Sequence, residues 1–243
     1  TMAALSGHPA LKAVSPQAPI LDWYKGDDVH HNGAFMLLDL YSFAPYMFTK
    51  HDNPVEEAHG LPSPVGPNAY EWFLEKKTPN ALTAALPDTL AFWNEILMHP
   101  DYDDYWRERS LEQHLKDIQP AILVVGGGFD TDDCYGALNT YRLIRDNSPE
   151  TDIHFVYGPW THGGWHDASY QGLGSLEFGD GLSTYFMEKI EYPFFRYYLE
   201  NKGKRPEPVY VYASGSESWQ MMETWPPKEM KYRALYLSSG NRL

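Results

Sequence analysis

Residues 120–130 read Pro-Ala-Ile-Leu-Val-Val-Gly-Gly-Gly-Phe-Asp, and this stretch decides the fold class. The continuous apolar run from Ala121 to Val125 is typical of a parallel strand that is buried on both faces. The three glycines end the strand, and a helix is predicted from about Thr131 to Asp146. A second strand, His154–Tyr157, follows and ends at Gly158. This order and spacing predict a parallel pair of strands with a right-handed crossover.

The remaining segments differ in character from this unit. Before it, the chain reads as the end of a helix, a turn and a short strand near Leu11–Val14, and after it a further helix is predicted over about 181–198. Helical apolar spacing interrupted by prolines predicts a helical insertion. After Pro206, alternating apolar residues predict antiparallel strands of a second domain. The predicted organisation is core (1–33), helical cap insertion (34–118), core (119–205) and the start of a β-sandwich domain (206–243).

The composition excludes several classes of protein. The chain has 243 residues, of which 43% are hydrophobic, and this content excludes disorder. Its net charge is −14 with no basic stripe, so we expect no nucleic-acid partner. The apolar runs are too short to cross a bilayer, and we expect no membrane partner. The single cysteine, Cys134, excludes an internal disulfide framework.

Two loops that follow predicted strands carry residues suited to catalysis. Asp130 lies just past the first strand and His162 just past the second. In a parallel α/β sheet, functional groups gather at the carboxyl ends of the strands. An acid followed by a histidine is also the order found in α/β-hydrolases, in which the nucleophile comes first. In such a triad the acid orients the imidazole, and the imidazole deprotonates the nucleophile.

Simpler interpretations of these loops stay open. An aspartate between a strand and a helix is most often an N-cap, and Asp130, Asp132 or Asp133 could each be one. His162 could be a surface residue of its loop. The triple glycine could bind phosphate, but neither a dinucleotide-binding nor a Walker pattern follows it.

Metal binding is not favoured by the spacing. Two glycines separate His162 from the segment containing His166 and Asp167, which defeats the helical spacing used by metal-binding pairs. His30 and His31 stand beside two aspartates, but adjacent side chains rarely bind one ion. We therefore expect no metal and no cofactor. Cys134 is predicted to be a small core residue.

A nucleophile with the expected setting is missing from the sequence. The triad order requires a serine on a G-x-S-x-G elbow upstream of the acid. No serine in residues 1–129 has flanking glycines of this kind. The serines concerned are Ser6, Ser15, Ser42, Ser63 and Ser110. Either there is no triad, or the elbow precedes Thr1.

Six segments together resemble the cocaine-esterase-like (CocE/NonD) serine hydrolases, and within them the α-amino acid ester hydrolases and glutaryl-7-aminocephalosporanic acid acylases. The first three segments are His-Pro-Ala-Leu-Lys-Ala-Val from His8, Gly-Asp-Asp-Val-His-His-Asn from Gly26 and His-Pro-Asp-Tyr-Asp-Asp-Tyr-Trp from His99. The others are Gly-Gly-Gly-Phe-Asp-Thr-Asp-Asp-Cys-Tyr-Gly at 126–136, Gly-Pro-Trp-Thr-His-Gly-Gly-Trp at 158–165 and Glu-Tyr-Pro-Phe-Phe-Arg-Tyr-Tyr-Leu at 191–199. The resemblance covers essentially the whole chain.

The resemblance implies both a fold and catalytic roles. The fold is α/β: the C-terminal part of an α/β-hydrolase core with an inserted helical cap and the first strands of a β jelly-roll. Asp130 matches the triad acid and His162 the triad base. The nucleophilic serine matches a position just before Thr1, and the oxyanion-hole groups also lie outside the chain. We therefore expect residues 1–243 alone to be inactive.

A cluster of three carboxylates that receives the substrate α-ammonium is also implied. Its members match Asp28, Asp132 and Asp133, and Asp132 stands where relatives carry a glutamate. Close carboxylates repel one another, so at least one pKa should rise unless a cation lies among them. The alternative is that these aspartates are merely solvated caps.

The expected activity is that of a serine hydrolase acting on esters or amides of small acyl groups, with α-amino acyl groups or β-lactam side chains as the preferred class. The alternatives are an X-prolyl dipeptidyl peptidase, a cocaine-esterase-like esterase, or a non-catalytic acidic binding module. The expected partner is a small-molecule ester or amide substrate, and a homo-oligomer is compatible with the sequence. The resemblance implies a periplasmic or secreted location.

Overall fold

The computed structural model describes residues 1–47, 65, 68–86 and 90–236. Within these ranges the strands are β1 (Ala13–Val14), β2 (His30–His31), β3 (Ala34–Phe35), β4 (Ala121–Gly127), β5 (Ile153–Gly158), β6 (Gly172–Leu173), β7 (Leu176–Glu177), β8 (Val209–Ala213) and β9 (Ser218–Met222). The α-helices are α1 (Leu37–Met47), α2 (Ala69–Lys76), α3 (Pro79–Thr83), α4 (Ala91–Met98), α5 (Asp104–Arg109), α6 (Cys134–Asn147), α7 (Leu182–Tyr185) and α8 (Tyr192–Glu200). A π-helical segment, Phe186–Glu191, joins α7 to α8. None of the helices in the described ranges has the length and apolarity needed to cross a membrane.

A five-stranded mixed sheet organises the fold, with the spatial order β1-β4-β5-β8-β9. The strands β1, β4, β5 and β8 run parallel, and β9 is an antiparallel edge strand. The predicted parallel pair is confirmed, because β4 and β5 pair from Ile122↔Ile153 to Gly127↔Gly158 with α6 between them in sequence. Two short hairpins, β2–β3 and β6–β7, lie outside the sheet.

The central strand β4 is buried along its whole length. Because successive side chains of a strand point to opposite faces, its apolar run contributes to two separate cores. Ile122 and Val124 pack with Ile144 of α6 on one face, whereas Leu123 and Val125 pack with Phe186 on the other. The sheet is therefore covered by helices on both faces, which confirms the α/β fold class.

The helices α1 to α5 share a third core that is rich in aromatic residues. Trp93 of α4 and Trp106 of α5 are almost fully buried, and Trp93 packs edge-on against Tyr41 of α1. Burial in this core accounts for the helical spacing of apolar residues between β3 and β4. Part of the predicted insertion, residues 48–64, 66–67 and 87–89, lies outside the described residues.

The segment after Pro206 differs from its sequence prediction. We expected Val209 and Val211 to begin a separate antiparallel domain, but β8 pairs in parallel with β5 and extends the central sheet. Val209 is fully buried in the core on the α6 side of the sheet. The pairing of β8 with β9 is antiparallel, as expected. A period-two pattern specifies a strand but not its partner, and the free edge of β5 satisfies the backbone groups of β8.

Candidate active site

The loops that follow β4 and β5 lie side by side at one edge of the sheet. This placement follows from the register, which ends with Gly127 opposite Gly158. The first loop carries Asp130 and the second carries His162. Their side chains meet, and the distance from His162 Nδ1 to Asp130 Oδ2 is 3.1 Å. The contact expected from the sequence is therefore present in the fold.

The two carboxylate oxygens of Asp130 have different partners. Its Oδ1 accepts hydrogen bonds from the backbone N–H groups of Asp132 and Asp133, each at 3.1 Å, and its Oδ2 faces His162. One side chain thus both caps its own loop and contacts the imidazole. Burial by itself raises the pKa of Asp130, but the hydrogen bonds from His162 and the loop N–H groups outweigh it and lower the pKa. Asp130 is therefore held as a carboxylate.

Asp133 is a second carboxylate on the same imidazole nitrogen. Its Oδ2 lies 3.3 Å from His162 Nδ1, and its side chain is only 3% exposed. Its Oδ1 is buried and has no hydrogen-bond partner in the described part of the chain. Although Asp133 precedes α6, its side chain makes no capping hydrogen bond to that helix. Burial raises the pKa of Asp133. A buried carboxylate oxygen without a donor marks a place where a donor can bind.

Asp28 contacts the loop after β4, here called the acid loop because it carries Asp130, although more than one hundred residues separate the two in sequence. Its backbone N–H donates to the carbonyl of Asp132 at 3.3 Å, and its Oδ2 accepts from Trp23 Nε1 at 3.1 Å. Burial and the neighbouring charge of Asp133 raise the pKa of Asp28 to about 7. The three carboxylates predicted to cluster therefore converge in the fold.

Asp132 is the more open member of this group. Its Oδ1 accepts from Thr131 Oγ1 at 3.0 Å. Burial raises its pKa, and charges nearby raise it further, beginning with Asp39 in the first turn of α1. The helical segment thus adds a negative charge beside the cluster. Sequence reasoning did not single out Asp39.

Asp27 holds the Asp28 loop against α6, a role that sequence reasoning missed. This carboxylate is fully buried and accepts from the N–H groups of Leu21, Asp22 and Gly136 at 2.8, 3.0 and 2.7 Å. A Cβ at Gly136 would lie 1.8 Å from the carbonyl oxygen of Pro19, so the close approach requires glycine there. A glycine near the start of a predicted helix was the available signal for this contact.

His162 is held by both carboxylates but remains accessible. The hydrogen bond with Asp130, followed by the one with Asp133, raises the pKa of His162 to about 10. The side chain is 60% exposed, so water screens part of this attraction. Its Nε2 has no hydrogen-bond partner among residues 1–47, 65, 68–86 and 90–236. The ring therefore presents a free nitrogen to whatever occupies the site.

The other candidate ligands and nucleophiles take different partners. His166 contacts Glu191 at 3.0 Å, and His30 is buried against the rings of Tyr24 and Trp106. Cys134 is half-buried, and its thiol donates to the carbonyl of Asp130 at 2.9 Å.

One group in the described residues has metal-ligand spacing, with ligand atoms within 4.8 Å of one another: Asp130, Asp133 and His162. Their ligand atoms already face one another, with Nδ1 of His162 at 3.1 Å from Asp130 and 3.3 Å from Asp133, and that the group binds no metal stays a prediction. That no cofactor is needed stays a prediction.

Residues 1–164 match the family model described as X-Pro dipeptidyl-peptidase (S15 family). This match covers more than half of the chain. The chain belongs to the S15 family. The matched range, residues 1–164, contains the whole predicted site: Asp28, Asp130, Asp132, Asp133 and His162.

Individual relatives agree with the S15 assignment. The chain is 23% identical to the cocaine esterase of Rhodococcus sp. (strain MB1 Bresler) over 98% of its own length and 42% of that protein. It superposes on an aminopeptidase from a marine sediment archaeon, Thaumarchaeota archaeon, with a TM-score of 0.83 and 29% identity over 98% of this chain and 39% of that one. It also superposes on an α-amino acid ester hydrolase, with a TM-score of 0.78 and 26% identity over 93% and 36% of the two chains. The sequence-based resemblance to CocE/NonD-like hydrolases is thereby confirmed.

The chain spans about two fifths of the length of these relatives. The comparisons therefore establish the family and the fold of this chain.

Proposed function

We propose that this chain supplies the acid and the base of a serine hydrolase that cleaves esters or amides of small acyl groups, with α-amino acyl groups or β-lactam side chains as its preferred substrates. The observation that carries the proposal is the hydrogen bond of 3.1 Å between Asp130 and His162, together with the free Nε2 of the ring. An oriented imidazole with one open nitrogen is the arrangement that general base catalysis needs.

The proposed chemistry proceeds through an acyl-enzyme. The nucleophilic serine, which the resemblance places upstream of Thr1, attacks the substrate carbonyl while Nε2 of His162 takes the serine proton. His162 then gives this proton to the leaving alcohol or amine. Water attacks the acyl-enzyme in the second half of the reaction, with His162 again acting as the base. Asp130 keeps Nδ1 protonated and stabilises the imidazolium that forms in each half.

The acidic cluster supports recognition of a substrate ammonium. Asp28, Asp132 and Asp133 converge beside His162, and the buried Oδ1 of Asp133 has no donor within the described ranges. Burial and repulsion from Asp133 raise the pKa of Asp28, and a cation in the cluster would offset this repulsion. Two of the similar structures are named as an aminopeptidase and an α-amino acid ester hydrolase, which agrees with an amino-bearing substrate.

The replacement Asp28→Asn tests this recognition in the full-length enzyme. We expect it to raise the KM for alanine methyl ester at least about 30-fold, since losing one charged contact to a desolvated ammonium costs on the order of 2 kcal/mol or more. Methyl propionate has the same acyl chain without the amino group, and its KM should change less than about threefold. The exposed Asp117 provides the control variant, Asp117→Asn, which should alter neither value. Equal losses for the two esters would favour a cocaine-esterase-like specificity instead.

The raised pKa of Asp28 predicts a pH dependence of substrate binding. Asp28 must be ionised to attract an ammonium, and its pKa in the fold is about 7. We therefore expect the KM for alanine methyl ester to fall as the pH rises from 5.5 to about 7.5. Above about pH 8 the α-amino group of the substrate loses its charge and the KM should rise again. The KM for methyl propionate should show no such minimum. A flat profile for both esters would contradict the role of Asp28.

Labelling by a fluorophosphonate separates the enzymatic proposal from a binding module. At about pH 10, where His162 can be neutral, we expect the full-length protein to be labelled at one serine and to lose the label when His162 is replaced. Retained amine binding without any labelling would favour the non-catalytic acidic module. Labelling combined with release of X-Pro dipeptides from peptide substrates would favour the dipeptidyl-peptidase alternative.

A further inference from the structure

We propose that Asp133 couples recognition of the substrate ammonium to activation of His162. In the free site Asp133 shares the imidazole with Asp130, and a bound ammonium draws Asp133 away so that His162 releases a proton and can act as a base. This inference rests on the proposed function, because it needs an amino-bearing ligand in the acidic cluster. It goes beyond that function by making one carboxylate serve both recognition and activation.

The contacts of His162 Nδ1 carry the inference. One N–H group faces two carboxylate oxygens, at 3.1 Å on Asp130 and 3.3 Å on Asp133. A single hydrogen cannot bond fully to both, so one of these acceptors is free to take another donor. Asp130 is tied in place by two backbone N–H groups, whereas Asp133 has no side-chain capping bond and an unpartnered Oδ1 within the described residues. Asp133 is therefore the acceptor that can change partner.

The charges around His162 set its protonation in the free site. The loop after β4 presents Asp130 and Asp133, and the loop before β2 presents Asp28, while Trp165 packs edge-on at 6.0 Å within the ring's own loop. The charged groups are negative and favour the imidazolium, in line with the rise of its pKa to about 10. At neutral pH, Nε2 then carries a proton and cannot accept one from a serine.

Binding of an ammonium ligand leaves the net charge of the site unchanged if His162 loses a proton at the same time. The ligand brings one positive charge, and its N–H groups donate to Asp133 and Asp28. His162 gives its Nε2 proton to water, so one cation replaces another in the cluster. Asp130 keeps the hydrogen on Nδ1, which leaves the tautomer with a free Nε2 lone pair. The ligand thereby creates the form of the imidazole that catalysis requires.

This coupling selects substrates through the rate of turnover as well as through binding. An ester without an amino group leaves His162 protonated at neutral pH and reacts slowly even when bound. Interactions that act only on the reacting state change kcat, whereas uniform binding changes KM alone. We therefore expect the kcat for methyl propionate to keep rising with pH to about 10, while the kcat for alanine methyl ester reaches its plateau at lower pH.

Nuclear magnetic resonance can follow His162 directly. The Cε1–H signal of His162, assigned from the spectrum of His162→Gln, is titrated in ethylammonium chloride and in sodium chloride of equal ionic strength. We expect saturating ethylammonium to lower the titration midpoint by at least about one pH unit. The indole N–H of Trp23, which donates to Asp28 Oδ2, reports separately whether the amine has bound.

Two replacements test whether the effect on His162 comes from Asp133 in particular or from negative charge in general. Asp133→Asn should lower the His162 midpoint without any amine and remove the further effect of ethylammonium. Asp28→Asn takes away the same charge without touching Nδ1, and it should lower the midpoint by less than Asp133→Asn does. In kinetics, Asp133→Asn should raise the kcat for methyl propionate at pH 7. The titration of the unmodified protein carries the test even where a variant fails to fold.

The outcomes distinguish the two proposals. No shift of the Trp23 signal at any ethylammonium concentration would overturn both the amine site and the coupling. A shift of Trp23 with an unchanged His162 midpoint would leave the amine site standing and overturn the coupling. Equal midpoints in Asp133→Asn and Asp28→Asn would also overturn it, because the effect would then be one of general charge.

Discussion

Replacement of His162 by glutamine is expected to lower kcat for every ester substrate of the full-length enzyme at least about 10⁴-fold. Glutamine can donate to Asp130 as the imidazole does, but it cannot take up and return a proton. The loss should appear in kcat more than in KM, because the proton is transferred only in the reacting state. Steady-state hydrolysis of alanine methyl ester and of methyl propionate measures it. Retention of more than about 1% of the kcat would exclude His162 as the base.

The matched control is His166→Gln. This histidine lies four residues further along the same loop, and its Nε2 contacts Glu191 at 3.0 Å instead of facing the acid loop. Its replacement reproduces any general disturbance of the loop without removing the proposed base. We expect its kcat to stay within about tenfold of the unmodified enzyme. A loss as large as that of His162→Gln would mean that the loop as a whole, and not its first histidine, determines activity.

The replacement Asp27→Asn is expected to reduce the free energy of unfolding by about 3 kcal/mol. The Asp27 carboxylate accepts three backbone N–H groups in a fully buried setting. The asparagine amide turns an NH₂ group toward these donors, so at least one buried N–H loses its acceptor. Urea denaturation at pH 8 measures the difference. The acidic cluster should loosen as well, because Asp27 ties the Asp28 loop to α6.

The neighbouring variant Asp28→Asn provides the control for stability. Asparagine tolerates the positive φ of 51° at this position, so the backbone should remain unstrained. Because the pKa of Asp28 in the fold lies above that of an unfolded chain, its contribution to stability is present below about pH 4 and is lost as the pH rises to about 7. The neutral variant lacks this loss, and it should be at least as stable as the unmodified protein at pH 8. Equal destabilisation by the two replacements would contradict the distinct roles of Asp27 and Asp28.

The opposite expectations for Asp27 and Asp28 reflect a division between structure and binding. Backbone donors satisfy Asp27 in the folded protein itself. Burial raises the pKa of Asp27, Asp28 and Asp133 alike, but the Asp27 carboxylate accepts from three backbone N–H groups, whereas Asp133 keeps a buried oxygen without a donor in the described residues. Such groups lower the stability of the free protein and are stabilised when a cation binds. This arrangement is expected of a recognition site.

The local sequence pattern was sufficient to predict the central part of the fold. The apolar run 121–125 and the glycines after it predicted β4, and the helical spacing that follows predicted α6, because period and turn chemistry act over a few residues. The places of Asp130 and His162 at the ends of adjacent strands followed from the same pattern. For a parallel pair, neighbouring carboxyl ends bring such side chains together.

Tertiary structure alone decided the contacts between distant segments. The partner of β8 could not be read from Val209 and Val211, because an alternating strand fits any free edge that buries one of its faces. The resemblance indicated that Asp28 and Asp133 meet, but only the fold shows Asp27 holding that loop on α6 at Gly136. The sharing of His162 between Asp130 and Asp133 depends on distances of 3.1 and 3.3 Å, which arise from loop packing over more than thirty residues and leave no trace in local sequence.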